Sequence, residues 1–171
     1  MSVAYRLLSM LDKIKPAQIA DAHCDIPCGI YDPYHAQLAA HTVIRMVNLI
    51  DDLKISSMDA PIEERKRFIS QISRYTATKE EHAEIVKKEI RIIWGDYFKP
   101  EHLKEHGELH ELTWKILKGA SKVRQEVNAE AAQELLENLH KFAAIFWKTK
   151  GKDTMKVPAP SPLGGEIVVQ K

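Results

Sequence analysis

Both cysteines of the chain stand in one short run, His23-Cys24-Asp25-Ile26-Pro27-Cys28-Gly29-Ile30-Tyr31-Asp32-Pro33. The two thiols are four residues apart, an imidazole adjoins the first, and Pro27-Cys28-Gly29 can bend the segment back on itself. Two cysteines make no disulfide scaffold, and such a pair points to metal binding or redox chemistry. Cleavage between Ala22 and His23 would give a new N-terminus with four donors: the amine, the backbone nitrogen of Cys24, and the thiolates of Cys24 and Cys28. Amine to amide nitrogen closes a five-membered chelate ring, and amide nitrogen to the Cys24 sulfur closes another. The product is a square-planar N₂S₂ site, a geometry that suits Ni(II) or Cu(II). The His23 imidazole closes a six-membered ring as an axial fifth ligand. Anionic donors of this kind stabilise the higher oxidation state and bring one-electron Ni(III)/Ni(II) cycling within reach. With Ala22 still attached the amine is an amide, so the uncut chain is expected to be inactive. Affinity alone favours copper over nickel, so the donor set does not choose the metal.

The run resembles the metal hook of the nickel superoxide dismutases. Trp94-Gly95-Asp96-Tyr97-Phe98-Lys99-Pro100 resembles that family's W-x-D-Y-F-K-P segment, and Glu108-Leu109-His110 and Ile145-Phe146-Trp147-Lys148-Thr149-Lys150 are similar to less specific family segments. The resemblance covers about His23 to Lys150. It implies a four-helix-bundle subunit, a homohexamer, one nickel ion per subunit, removal of a pro-segment by a dedicated protease, and disproportionation of superoxide to dioxygen and hydrogen peroxide. By position, His23, Cys24 and Cys28 are the metal ligands and Asp25 shapes the hook. Tyr31 would stand beside the vacant axial side, ordering water or substrate. Tyr97 and Lys99 would pack against the hook from the helical body, and Pro27 is a candidate cis turn residue. The family places a glutamate where Ala39 stands and an arginine where His82 stands, a pair that orients the axial imidazole. His82 itself, His35 and His41 are the candidates for that role here.

The elements that must position these residues read as helices. Residues 1–22 form the expected pro-segment, with a short amphipathic stretch through Leu7, Leu8, Leu11 and Ile14. A secretory signal is the alternative there, but the positive n-region is missing and Asp12-Lys13-Ile14-Lys15-Pro16 interrupts the approach to the cut. After the hook at 23–33, Asp32 as N-cap and Pro33 as first helical residue open a helix to about residue 55, with an apolar stripe at Ala36, Ala40, Val43, Val47, Ile50 and Leu53. Asp59-Ala60-Pro61 starts a second, carried by Phe68, Ile69, Ile72, Tyr75, Ile85, Val86, Ile90 and Ile93, with Thr76-Ala77-Thr78 as a potential break. Lys99-Pro100 separates it from two further stripes, Leu109, Leu112, Ile116, Leu117, Ala120 and Leu135, Leu139, Phe142, Phe146. Four amphipathic helices with short connections predict an all-α, antiparallel up-and-down four-helix bundle over 23–150, bearing the N-terminal hook. The Pro-rich stretch 151–171 reads as a disordered or extended tail.

Composition bounds the remainder. The 171 residues carry a net charge of +1, which points to no nucleic-acid or anionic-membrane partner, and no apolar run approaches the roughly 20 residues of a membrane span. Cytoplasmic location follows from the poor signal sequence and the need for free thiols. His102, His106 and His110 fall at i, i+4, i+8, a spacing for a second metal, though a solvated face is the simpler reading. Glu137-Asn138-Leu139-His140 is a lone E-x-x-H without the partners of a di-iron bundle and reads as surface chemistry. Trp94, Phe146 and Trp147 are assigned to core or subunit contacts, and Lys99 to anion steering or plain solvation. Three function classes are carried forward: a nickel superoxide dismutase, a nickel or copper carrier using the same hook without turnover, and a structural bundle with a degenerate hook.

Overall fold

The structure, a computed structural model, describes residues 29–171. Helix α1 spans Tyr34–Asp51. The Asp32 carboxylate accepts from the Tyr34 N–H at 2.8 Å, satisfying an otherwise orphaned amide, and the Pro33 carbonyl takes the first i→i−4 bond from the Gln37 N–H at 3.2 Å. The start falls one residue later than the sequence suggests, with Pro33 as the cap, and the helix stops short of residue 55. Helix α2, Ile62–Ile92, follows Pro61 and carries Glu63 and Glu64 in its first turn, where the helix dipole favours anions. It runs unbroken through Thr76-Ala77-Thr78, correcting the expected interruption: two threonines cost a helix only about 0.5 kcal/mol each relative to alanine. The helix then widens into a π turn over Ile93–Tyr97, closed by the Phe98 N–H on the Ile93 carbonyl at 3.4 Å. Lys99, held extended by the following proline, leads into the short α3, Pro100–Glu105. Helix α4 is Leu109–Gln125, and α5 is Ala129–Thr149, capped by the Asn128 side chain on the Ala131 N–H.

Helices α1, α2, α4 and α5 pack in sequence, and α5 closes back on α1, giving the expected up-and-down bundle with α3 as a connector. The predicted stripes line its centre: Ala36, Ala40, Val43 and Val47 from α1, Val86 and Ile90 from α2, Leu109, Ile116 and Ala120 from α4, Leu135, Leu139, Phe142 and Phe146 from α5. Helix α2 is longer than its partners. Its 31 residues span about 46 Å, against about 31 Å for the 21 residues of α5. The first fully buried position in α2 is Lys79, and the earlier turns overhang, leaving Ile69 60% exposed. Lys79 itself is only 2% exposed. Its ammonium donates to the carbonyls of Val123, Arg124 and Glu126 at 2.5, 2.9 and 2.8 Å, closing the C-terminus of α4 from a neighbouring helix.

The stretch expected to be a disordered tail is instead an ordered hairpin. Strand β1, Thr154–Pro158, pairs antiparallel with β2, Glu166–Gln170. Gly164 and Gly165 supply positive φ at the end of the connection. The hairpin docks on α1 and α5 by polar contacts as well as by burial of Ile167 and Val168. The buried Gln37 amide donates to the Val168 carbonyl at 3.0 Å and accepts from its N–H at 2.7 Å, extending the strand like a third backbone. His41 and His140 each place Nε2 on the Glu166 carbonyl, at 3.0 and 2.9 Å. His140 is therefore a fastening residue and not the surface group that its E-x-x-H context suggests.

Candidate metal centre

Of the residues that sequence reasoning assigns to the site, His23, Cys24, Asp25, Pro27 and Cys28 lie outside the described residues. Those that follow the hook are placed against one end of the bundle. Tyr31 is half-buried, and its ring centroid lies 5.8 Å from that of Tyr97, inclined at 56°. Tyr97 is the last residue of the π turn, and the extra residue in that turn lets both Tyr97 and Phe98 face α5. Tyr97 meets Phe98 at 5.1 Å and Phe146 at 4.8 Å, and Phe98 meets Phe142 edge-on at 5.6 Å. Deletion of one residue between Ile93 and Tyr97 would turn the phenol away.

Three further residues complete this end. The His102 ring stacks on Tyr97 at 5.6 Å and 21°, with its Nδ1 accepting from the Lys99 N–H at 3.2 Å. The Tyr97 hydroxyl meets Thr149 Oγ1 at 2.8 Å, and Thr149 donates to the Phe146 carbonyl at 2.7 Å. The Lys150 ammonium lies 4.8 Å from the Phe146 ring centroid, 5.3 Å from that of Tyr97 and 5.7 Å from that of Trp147. An ammonium over three aromatic faces is held by their quadrupoles. Sequence reasoning gave no role to Thr149 or Lys150. The available signal was a lysine just past an aromatic-rich helix end. Lys99, the cation singled out from sequence, is solvent-exposed.

The other candidates separate. His102, His106 and His110 do not share a helix face, because α3 ends at Glu105 and α4 starts at Leu109; His110 packs edge-on against Trp94. Among the described residues no cluster of His, Cys, Asp or Glu is arranged to hold a metal ion. Of the proposed replacements for the axial pair, His41 is committed to the hairpin, His35 is exposed, and His82 binds the Thr78 carbonyl at 2.9 Å through Nδ1, with Nε2 left for another contact. Trp147 and Phe146 are core residues as expected, whereas Trp94 is partly exposed.

Residues 18–150, which include the whole hook, match the model of the family described as nickel-containing superoxide dismutase. The chain belongs to the nickel-containing superoxide dismutase family. It is 33% identical over 135 residues to a superoxide dismutase [Ni] of Streptomyces coelicolor and 32% identical to one of Streptomyces seoulensis, in each case over 79% of this chain and 93% of the relative. A native nickel superoxide dismutase structure superposes with a TM-score of 0.63 at 32% identity, covering 75% of this chain and 99% of that one. A second structure, with nickel ligation corresponding to the oxidised state, gives 0.64 at 30%. The hairpin 154–170 lies beyond the stretch that the family match covers. Nickel suits the residue types in the hook sequence, since cysteine thiolates are soft donors that would hold it.

Proposed function

We propose that this protein is a superoxide dismutase whose nickel is held by His23, Cys24 and Cys28 after cleavage before His23. Two superoxide anions and two protons give one dioxygen and one hydrogen peroxide. Nickel held there supplies the one-electron cycling between Ni(III) and Ni(II) that this reaction requires. The observation that carries the assignment to this end of the bundle is the Tyr31–Tyr97 pair, which joins the hook sequence to the W-G-D-Y-F-K-P turn. Tyr31 and Tyr97 restrict the space beside the hook, and Tyr31 orders water or substrate there. Lys150 supplies positive potential for a small anion, and Asp25 and Lys99 are assigned to hook shape and to steering. The pro-segment 1–22 masks the N-terminal amine until a protease removes it.

The same reading includes a homohexamer and a cytoplasmic setting. The exposed Ile62 and Ile69 on the overhang of α2 and the exposed Trp114 support assembly. No helix among the described residues is long and apolar enough to cross a membrane. The test compares two nickel-loaded proteins, the full chain and one beginning at His23, for superoxide dismutation. Activity confined to the chain beginning at His23 is the expected result. Equal activity would remove the amine from the ligand set, and inactivity in both with nickel bound would favour a carrier.

A further inference from the structure

The hydrogen-bond chain behind Tyr97 has a fixed direction. The Thr149 hydroxyl has one proton, and it lies on the Phe146 carbonyl at 2.7 Å, an oxygen that can only accept. The 2.8 Å contact between Thr149 and Tyr97 therefore has the phenol as donor. Reversing it would set the Thr149 and Phe146 oxygens 2.7 Å apart with no proton between them. The phenol proton is thus committed inward, and what the Tyr97 oxygen offers elsewhere is lone pairs.

We infer that Thr149 is a positioning residue that holds Tyr97 as a hydrogen-bond acceptor toward the metal hook, so that Tyr97 orders a donor and does not itself protonate the reduced substrate. The inference rests on the proposed placement of Tyr97 beside the nickel hook. The chain Tyr97–Thr149–Phe146 ends on a backbone carbonyl, which neither releases nor takes up a proton at neutral pH. Proton delivery to the nascent peroxide then falls to water, or to a group of the hook. An accepting phenol also disfavours a bound anion at its oxygen, which suits a site that must release peroxide.

The test uses Thr149→Val, Thr149→Ser, Tyr97→Phe and the Thr149→Val/Tyr97→Phe double variant. The Raman Fermi doublet of tyrosine separates a donating from an accepting phenol, and the wild-type minus Tyr97→Phe difference isolates Tyr97 among the five tyrosines. The wild-type signal is expected to show the donation to Thr149. Thr149→Ser should retain it, and Thr149→Val should lose it. In the nickel-loaded chain beginning at His23, Thr149→Val frees the phenol proton, and azide should bind about tenfold tighter. That gain should vanish in the double variant. A wild-type phenol that accepts without donating, or one unmoved by Thr149→Val, overturns the assigned direction. A donor signal lost on Thr149→Val, with azide affinity unchanged in Thr149→Val and in Tyr97→Phe, overturns the placement of Tyr97 at the anion site, and with it the role given to Thr149.

Discussion

Lys79→Met removes the ammonium that closes α4 while keeping an unbranched stem of similar length. Three carbonyls lose their donor. Val123 is fully buried, so its carbonyl has no route to water, and an orphaned buried acceptor costs about 1–3 kcal/mol. Arg124 and Glu126 lie nearer the surface, so their carbonyls rehydrate, at about 0.5–1 kcal/mol each. Against this stands relief of the desolvation that burial imposes on the ammonium and that lowers its pKa, with the nearby Glu80 opposing. The balance is a loss of about 2 kcal/mol. Urea unfolding should show a midpoint lower by about 1 M at unchanged slope. A midpoint unchanged or raised would refute the idea that Lys79 is a cap and would make it a buried charge that the fold merely tolerates. The pH dependence reads the opposing burial cost separately. Because burial lowers the folded-state pKa, the unfolded chain keeps its proton over an alkaline range where the folded one has released it. This lysine's contribution to stability therefore rises with pH, and the wild-type advantage over Lys79→Met should widen as pH rises toward the ordinary lysine value of 10.5.

Three other perturbations address the hairpin and the site. Gly165→Ala would set a Cβ 2.7 Å from the His41 ring at a φ of +91°, so the hairpin should loosen by about 1–3 kcal/mol, seen as faster amide exchange at Val168. His140 has its pKa held below the usual 6.5 by burial first, with the Glu166 carbonyl opposing and the charges of Lys156 and His41 adding to the depression. An imidazole depressed in the folded state destabilises the docked form as pH falls through 6.5 toward its folded value, so Val168 exchange should quicken in that window. His140→Gln, which keeps an amide donor, should flatten that response. Lys150→Met should lower kcat/KM for superoxide roughly fivefold and weaken its salt dependence, while Lys150→Arg keeps most of both.

The bundle was legible because each helix carries a stripe with a period close to 3.6, and burial of Leu109, Ile116, Leu139 and Phe146 follows directly from it. The same signal misled in the first half of α2, where Ile69 continues the stripe but no neighbouring helix is long enough to cover it. The hairpin was not legible. Its strands are five residues each, flanked by Pro and Gly, and what orders them is Gln37 and His41, more than a hundred positions away. The π turn leaves no mark in composition, since it is one extra residue in a continuous helix. At the site, the tyrosines were read from a motif, but Thr149 and Lys150 matter through contacts that α5 makes on closing the bundle.

The Gln37–Val168 bridge bears on how the molecule is made. Gln37 sits one turn into the helix that follows the hook, and its amide is fully buried. Both of its backbone partners are supplied 131 residues later. A nascent chain with only α1 and α2 outside the ribosome has nothing to satisfy that side chain, and must leave it in water. The Gln37 side chain near the start of α1 is therefore made early and finds its partner late, after the β2 strand has emerged and docked. Until then the first turn of α1 lacks the contact that ties it to the far end of the chain.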